Sequence, residues 1–107
     1  MKKVRIGGGA GYAGDRIDPA IKLIEEGKLD YIIFECLAER TIGLAKQEML
    51  KDSSKGYSRL LEYRMSQVLK VAKENNVKII SNMGAVNPKG AVKKIMEIAQ
   101  EQGLHGI

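Results

Sequence analysis

Short apolar runs alternate along the chain with longer stretches in which apolar residues recur every three or four positions, and this alternation predicts strands interleaved with helices. Val4 to Ile6 reads as a first strand that runs into Gly7-Gly8-Gly9, where the chain is expected to turn. Asp18-Pro19 then supplies an N-cap followed by proline at the first helical position. Ala20, Leu23 and Ile24 space out an apolar face, and Gly27 stops this helix after about two turns. Tyr31-Ile32-Ile33-Phe34 is a continuous apolar run between Asp30 and Glu35, as expected of a strand covered on both faces.

From Leu37 to about Lys51, Ala38, Ile42, Ala45 and Met49 recur at helical spacing, and Asp52-Ser53-Ser54-Lys55-Gly56 breaks the pattern. A longer helix is predicted from about Ser58 to Asn75, with Leu61, Met65, Val68 and Ala72 on its core stripe and Lys, Glu and Arg on the opposite side. Val77 to Ile80 forms a third strand. Asn87-Pro88 repeats the cap-plus-proline start, and Ala91, Val92, Ile95, Met96 and Ala99 line a last helix ended by Gly103. Leu104 to Ile107 reads as the opening of a fourth strand, which suggests that the natural unit is larger.

Strands alternating with helices imply right-handed crossovers and parallel pairing. The expected fold is therefore α/β: one domain over residues 1–107, with a small parallel sheet of three to four strands and crossover helices, an incomplete Rossmann-like or barrel-like unit. Every strand end would face one edge, which receives residues 7–18, 35–41 and 81–87. In open α/β sheets and in barrels that edge is where ligands bind. Three parallel strands also leave open sheet edges, so a homo-oligomer, or a hetero-oligomer with a chain supplying the rest of the fold, is expected.

Composition narrows the classes. Hydrophobic residues make up 44% of the chain and charged residues 29%, which is enough apolar content for a packed core. No stretch has the roughly 18 consecutive apolar residues of a membrane span, and no signal-peptide core precedes the glycines, so a cytoplasmic location with no membrane association is expected. A single cysteine and a single histidine exclude an intrachain disulfide and leave too few ligands for a zinc cluster, so no metal is expected. The net charge of +5 comes from lysines spread over predicted helix faces. No basic cluster is interleaved with aromatics, and no nucleic-acid partner is expected.

Candidate chemistry lies in the three strand-end segments. Gly9, Gly11 and Gly14 fit G-x-G-x-x-G after a strand, and Glu35 stands 24 residues beyond Gly11, near where a ribose-binding acid would be. A dinucleotide is thus one reading. Against it, residues 15–19 delay the helix that should meet the pyrophosphate. The glycines otherwise mark a tight turn or an anion site made of backbone N–H groups. Asp15 beside Arg16 reads either as a loop-fixing ion pair or as a carboxylate and a bidentate donor offered to a ligand. Glu35 follows a buried strand and needs a partner or a task, whereas Glu39 and Arg40 fall in a helix first turn, where an acid satisfies the dipole. Cys36 reads as a buried thiol, with a nucleophile as its alternative. Asn82 and Gly84 are candidates for ligand contact, and Asn87 for a helix cap.

In this order the segments Gly9-Ala10-Gly11-Tyr12-Ala13-Gly14-Asp15-Arg16, Phe34-Glu35-Cys36-Leu37-Ala38-Glu39-Arg40-Thr41 and Asn82-Met83-Gly84-Ala85-Val86-Asn87-Pro88 resemble the N-terminal region of the acyclic terpene utilisation (AtuA-like) family. The resemblance covers nearly the whole chain. It implies a role in catabolism of small acyclic terpenoids such as citronellol and geraniol, and family members continue well beyond the length seen here. It implies no reaction type, cofactor or catalytic residue. The site expected from position is therefore Asp15 or Glu35 for acid-base work. Arg16, Glu39, Arg40, Gly84 and the amides of Gly9, Gly11 and Gly14 would bind the substrate or an anion, and Asn82 would orient a small carboxylated or CoA-linked ligand.

Overall fold

The computed structural model describes residues 2–106. Its elements follow the predicted order: β1 (Ile6–Ala10), α1 (Asp18–Glu26), β2 (Tyr31–Phe34), α2 (Glu39–Lys51), α3 (Leu61–Glu74), β3 (Lys78–Ser81) and α4 (Pro88–Glu101). The three strands form one open parallel sheet in the order β1-β2-β3. The chain is thus α/β with a small parallel sheet and crossover helices. No fourth strand forms through residue 106, where Leu104 instead packs against the core; Ile107 lies outside the described residues.

Several boundaries differ from those predicted, each for a local reason. The glycines 7–9 do not turn but lie within β1, because pairing with β2 outweighs the weak strand preference of glycine. Gly8 pairs with Ile33 and Ala10 with Phe34, so Gly9 is an extra residue in a bulge. A Cβ on Gly9 would sit 2.7 Å from the Phe34 ring, and that close approach requires glycine. Helix α1 is capped by Ile17 with no side-chain bond, and Asp18 is already helical, its carboxylate turned to Arg16. Asn87 does cap α4, its Oδ1 accepting the Gly90 N–H at 3.0 Å. Helices α2 and α3 start a few residues later than predicted.

The core lies on one face of the sheet. Ile32 and Phe34 are buried there with Ile24 of α1, Leu61, Met65 and Val68 of α3, and Ile98 of α4. Helix α1 packs on β1 and α3, α3 also on β3, and α4 on α3. The expectation that β2 is covered on both faces is not met. Register places Gly8, Ile33 and Ile80 side by side on the other face; Ile33 is 38% and Ile80 50% exposed, and a Cβ on Gly8 would meet nothing within 4 Å. Two consecutive right-handed crossovers carry α1 and α3 to the same side, and α4 packs on α3 there, which leaves the second face bare.

The prediction for α3 also needs correction at one residue. Arg64 is not on the polar side but 1% exposed within the core. It stands three positions after Leu61 and one before Met65, so helical geometry puts it on the buried stripe.

Candidate functional site

Parallel pairing brings the segments after β1, β2 and β3 together at the C-terminal edge of the sheet, as expected. Between them lies a cavity of about 310 Å³. Ala13 and Gly14 line it from the first segment, Cys36 and Leu37 from the second, and Asn82 and Ala85 from the third. Thr41, Leu44, Ala45 and Glu48 of α2 form one outer wall, and residues 57–60 the other. The walls are mainly hydrocarbon.

This second outer wall is held by the same loop that carries Asn82. Ser58 N–H donates to the Met83 carbonyl at 2.7 Å, and Val86 N–H to the Gly56 carbonyl at 3.1 Å. Asn87 Nδ2 donates to the Ser53 and Lys55 carbonyls while its Oδ1 caps α4. Nothing in the periodicity of residues 52–60 announced this wall, and Tyr57, Arg59, Leu60, Leu44, Ala45 and Glu48 were not anticipated. At the cavity floor Ala85 adopts φ 49°, a left-handed conformation that costs a non-glycine residue about 1–2 kcal/mol. Gly84 beside it permits a close turn: a Cβ there would meet the Pro88 Cα at 2.9 Å.

Arg64 ties the three segments beneath the cavity. Its Nη2 donates to the carbonyls of Ala13 and Asp15, and its Nη1 points at Cys36 Sγ, 3.1 Å away, and at Met83 Sδ, 3.7 Å away. A guanidinium keeps its charge when buried, so these dipoles and polarisable sulfurs take the place of water. Cys36 is 2% exposed; burial pushes its thiol pKa up, against the pull of Arg64 and in the same direction as Glu35 and Asp15. A protonated thiol near neutral pH follows, in line with the reading of Cys36 as a buried thiol.

Glu35 and Asn82, both expected at this edge, are hydrogen-bonded to each other. Asn82 Nδ2 donates to Glu35 Oε1 at 3.2 Å, and Asn82 Oδ1 accepts the Cys36 N–H at 2.8 Å. Glu35 Oε1 also accepts the Leu37 N–H. The amide thus links an exposed carboxylate at the rim to the cavity wall.

Asp15 and Arg16 do not pair side chain to side chain. The Asp15 carboxylate accepts the N–H groups of Gly11 and Arg16, both at 2.9 Å, and these bonds hold its pKa below the usual carboxylate value. Arg16 instead pairs with Asp18 at 2.8 Å, which raises the pKa of Arg16 and lowers that of Asp18. Two N–H groups of the loop, those of Gly11 and Arg16, are therefore directed at Asp15. Gly14 lines the cavity, Gly9 is in the strand, and Glu39 and Arg40 begin α2 outside the cavity wall. Among the described residues no cluster of three or more His, Cys, Asp or Glu side chains is placed to hold a metal ion, and no helix is long and apolar enough to cross a membrane.

Fold and site together define a parallel α/β protein with an apolar cavity of small-molecule size at the C-terminal edge of its sheet. The chain belongs to the acyclic terpene utilisation family: the model described as "Acyclic terpene utilisation family protein AtuA" matches residues 4–107. No curated protein and no solved structure matches it.

Proposed function

We propose that the strand-end cavity binds the branched apolar chain of a small acyclic terpenoid or related acyl compound during its catabolism. The observation that carries this reading is the meeting of all three strand-end segments around one apolar cavity of about 310 Å³. At about 30 Å³ per water-sized group, such a space holds a chain of roughly ten carbons. Membership of the acyclic terpene utilisation family supports this reading. Glu35 is the acid-base group of this proposal: it is exposed and one hydrogen bond from Asn82, which lines the cavity. Asp15, with both oxygens held by backbone N–H groups, shapes the first segment instead. Titration calorimetry with 3,7-dimethyloctan-1-ol tests the reading. The wild-type chain should bind it, and Leu44→Trp, which fills the cavity, should not; equal binding by both would remove the cavity as the site.

A second reading is favoured by the bare sheet face. Parallel sheets occur almost only with both faces covered. Ile6, Ile33 and Ile80 on the open face, with Gly8 among them, therefore support a chain that completes its fold against further polypeptide, either a second copy or a chain supplying the rest of the unit. The two readings are compatible, because the cavity opens at the strand ends and not on that face.

A further inference from the structure

We infer that Arg59 makes the cavity selective for ligands that carry a carboxylate, with Glu48 as the built-in competitor for the same guanidinium; this rests on the cavity being the ligand site. Arg59 precedes α3 and Glu48 belongs to α2, so their pair joins the two outer walls at the cavity. Of the other polar side chains of the wall, all but the Tyr57 hydroxyl are already engaged. Thr41 Oγ1 accepts the Ala38 N–H and donates to the Ala38 carbonyl, and Ser58 Oγ accepts the Leu60 N–H. Asn82 holds Cys36 and Glu35, and the Cys36 sulfur faces Arg64. A ligand head group that displaced any of these contacts would break a bond that shapes the site.

Arg59 is different. Only its Nε meets Glu48, and among the described residues neither Nη makes a hydrogen bond. Two parallel N–H donors in one plane match a carboxylate in a bidentate pair. An apolar chain lying along Leu44 and Leu60 would bring a terminal acid to that fork. Glu48, partly exposed, can then turn to water at little cost, or remain and repel the incoming charge. A neutral alcohol of the same skeleton has no means of competing with Glu48. Selectivity for the acid thus resides in one cation that the fold leaves with two free donors.

The test compares 3,7-dimethyloctanoate with 3,7-dimethyloctan-1-ol by titration calorimetry on the full chain, with circular dichroism to verify folding of each variant. Wild type should prefer the acid by roughly fivefold, the scale of an exposed ion pair, and added salt should shrink the preference. Arg59→Met should erase it, so that acid and alcohol bind alike, and Glu48→Gln should strengthen acid binding. A preference that survives Arg59→Met, or acid binding weakened by Glu48→Gln, would overturn the inference while the cavity stands as the site. Failure of the wild type to bind either compound overturns the cavity reading itself, and the selectivity with it.

Discussion

Asp15 shows how a single carboxylate can define a loop. Its two oxygens take the N–H groups of Gly11 and Arg16, so the first strand-end segment closes around its own side chain. Those bonds favour the ionised form and lower its folded pKa below the reference value of 3.8. A group depressed in this way stabilises the fold fully above its unfolded pKa, and the contribution disappears as pH falls through the folded value. Asp15→Asn should therefore lower the thermal midpoint near pH 6, and the gap from wild type should narrow as pH falls below 3.8. A gap that is constant with pH would mean that the charge of Asp15 plays no part. That Asp15 stands at the strand-end edge was legible from its place after the glycines. Its partners were not, since the adjacent Arg16 side chain chose Asp18 two positions on.

At the scale of elements, α3 is the helix that assembles the site. Its core stripe was readable as Leu61, Met65, Val68 and Ala72, yet residue type sent Arg64 to the wrong side. A helix places position 64 with 61, 65 and 68 whatever stands there, and a long side chain at that place enters the core if carbonyls are waiting for it. Arg64 meets two, from Ala13 and Asp15, together with two sulfurs. Arg64→Met fills much the same volume but leaves both carbonyls without a donor. At about 1–3 kcal/mol for each unsatisfied buried group, the loss should be about 2–6 kcal/mol. Urea denaturation measures it, with an unchanged slope expected; a change below about 0.5 kcal/mol would show that solvent replaces the guanidinium. Helix α2 behaves differently, with Ala45 as its buried residue and the cavity between it and the sheet edge.

For the molecule as a whole, the one-sided core is the dominant feature. Helices α1, α3 and α4 gather on the Ile32 and Phe34 face, while Ile6, Ile33 and Ile80 stay open to solvent on the other. Substituting an exposed residue away from special contacts changes stability by about 0.5 kcal/mol or less, so Ile33→Glu with Ile80→Glu should leave the thermal midpoint of the dilute chain nearly unchanged. If the face is an interface, the same pair should abolish association seen in sedimentation equilibrium, either of the chain with itself or with the polypeptide that completes it. A wild-type chain that stays monomeric, and a variant with unaltered partner binding, would both count against that second reading.

Period, caps and breakers are local properties, and the sequence by itself determined what depends on them: four helices and three strands in order, the parallel sense of the sheet, Asn87 as a cap, and the gathering of three polar segments at one edge. The motif text of those segments also determined the family. Tertiary structure alone decided which groups met across the chain. Gly7 to Gly9 became strand because β2 paired with them, and Asn82 reached Glu35 from 47 positions away. Arg64 entered the core because carbonyls of the first segment stood there, and residues 57–60 became a wall because Met83 and Asn87 held them. A hydrogen bond or a contact depends on the distance between groups in space, and for residues far apart in the chain that distance exists only once the whole chain has folded.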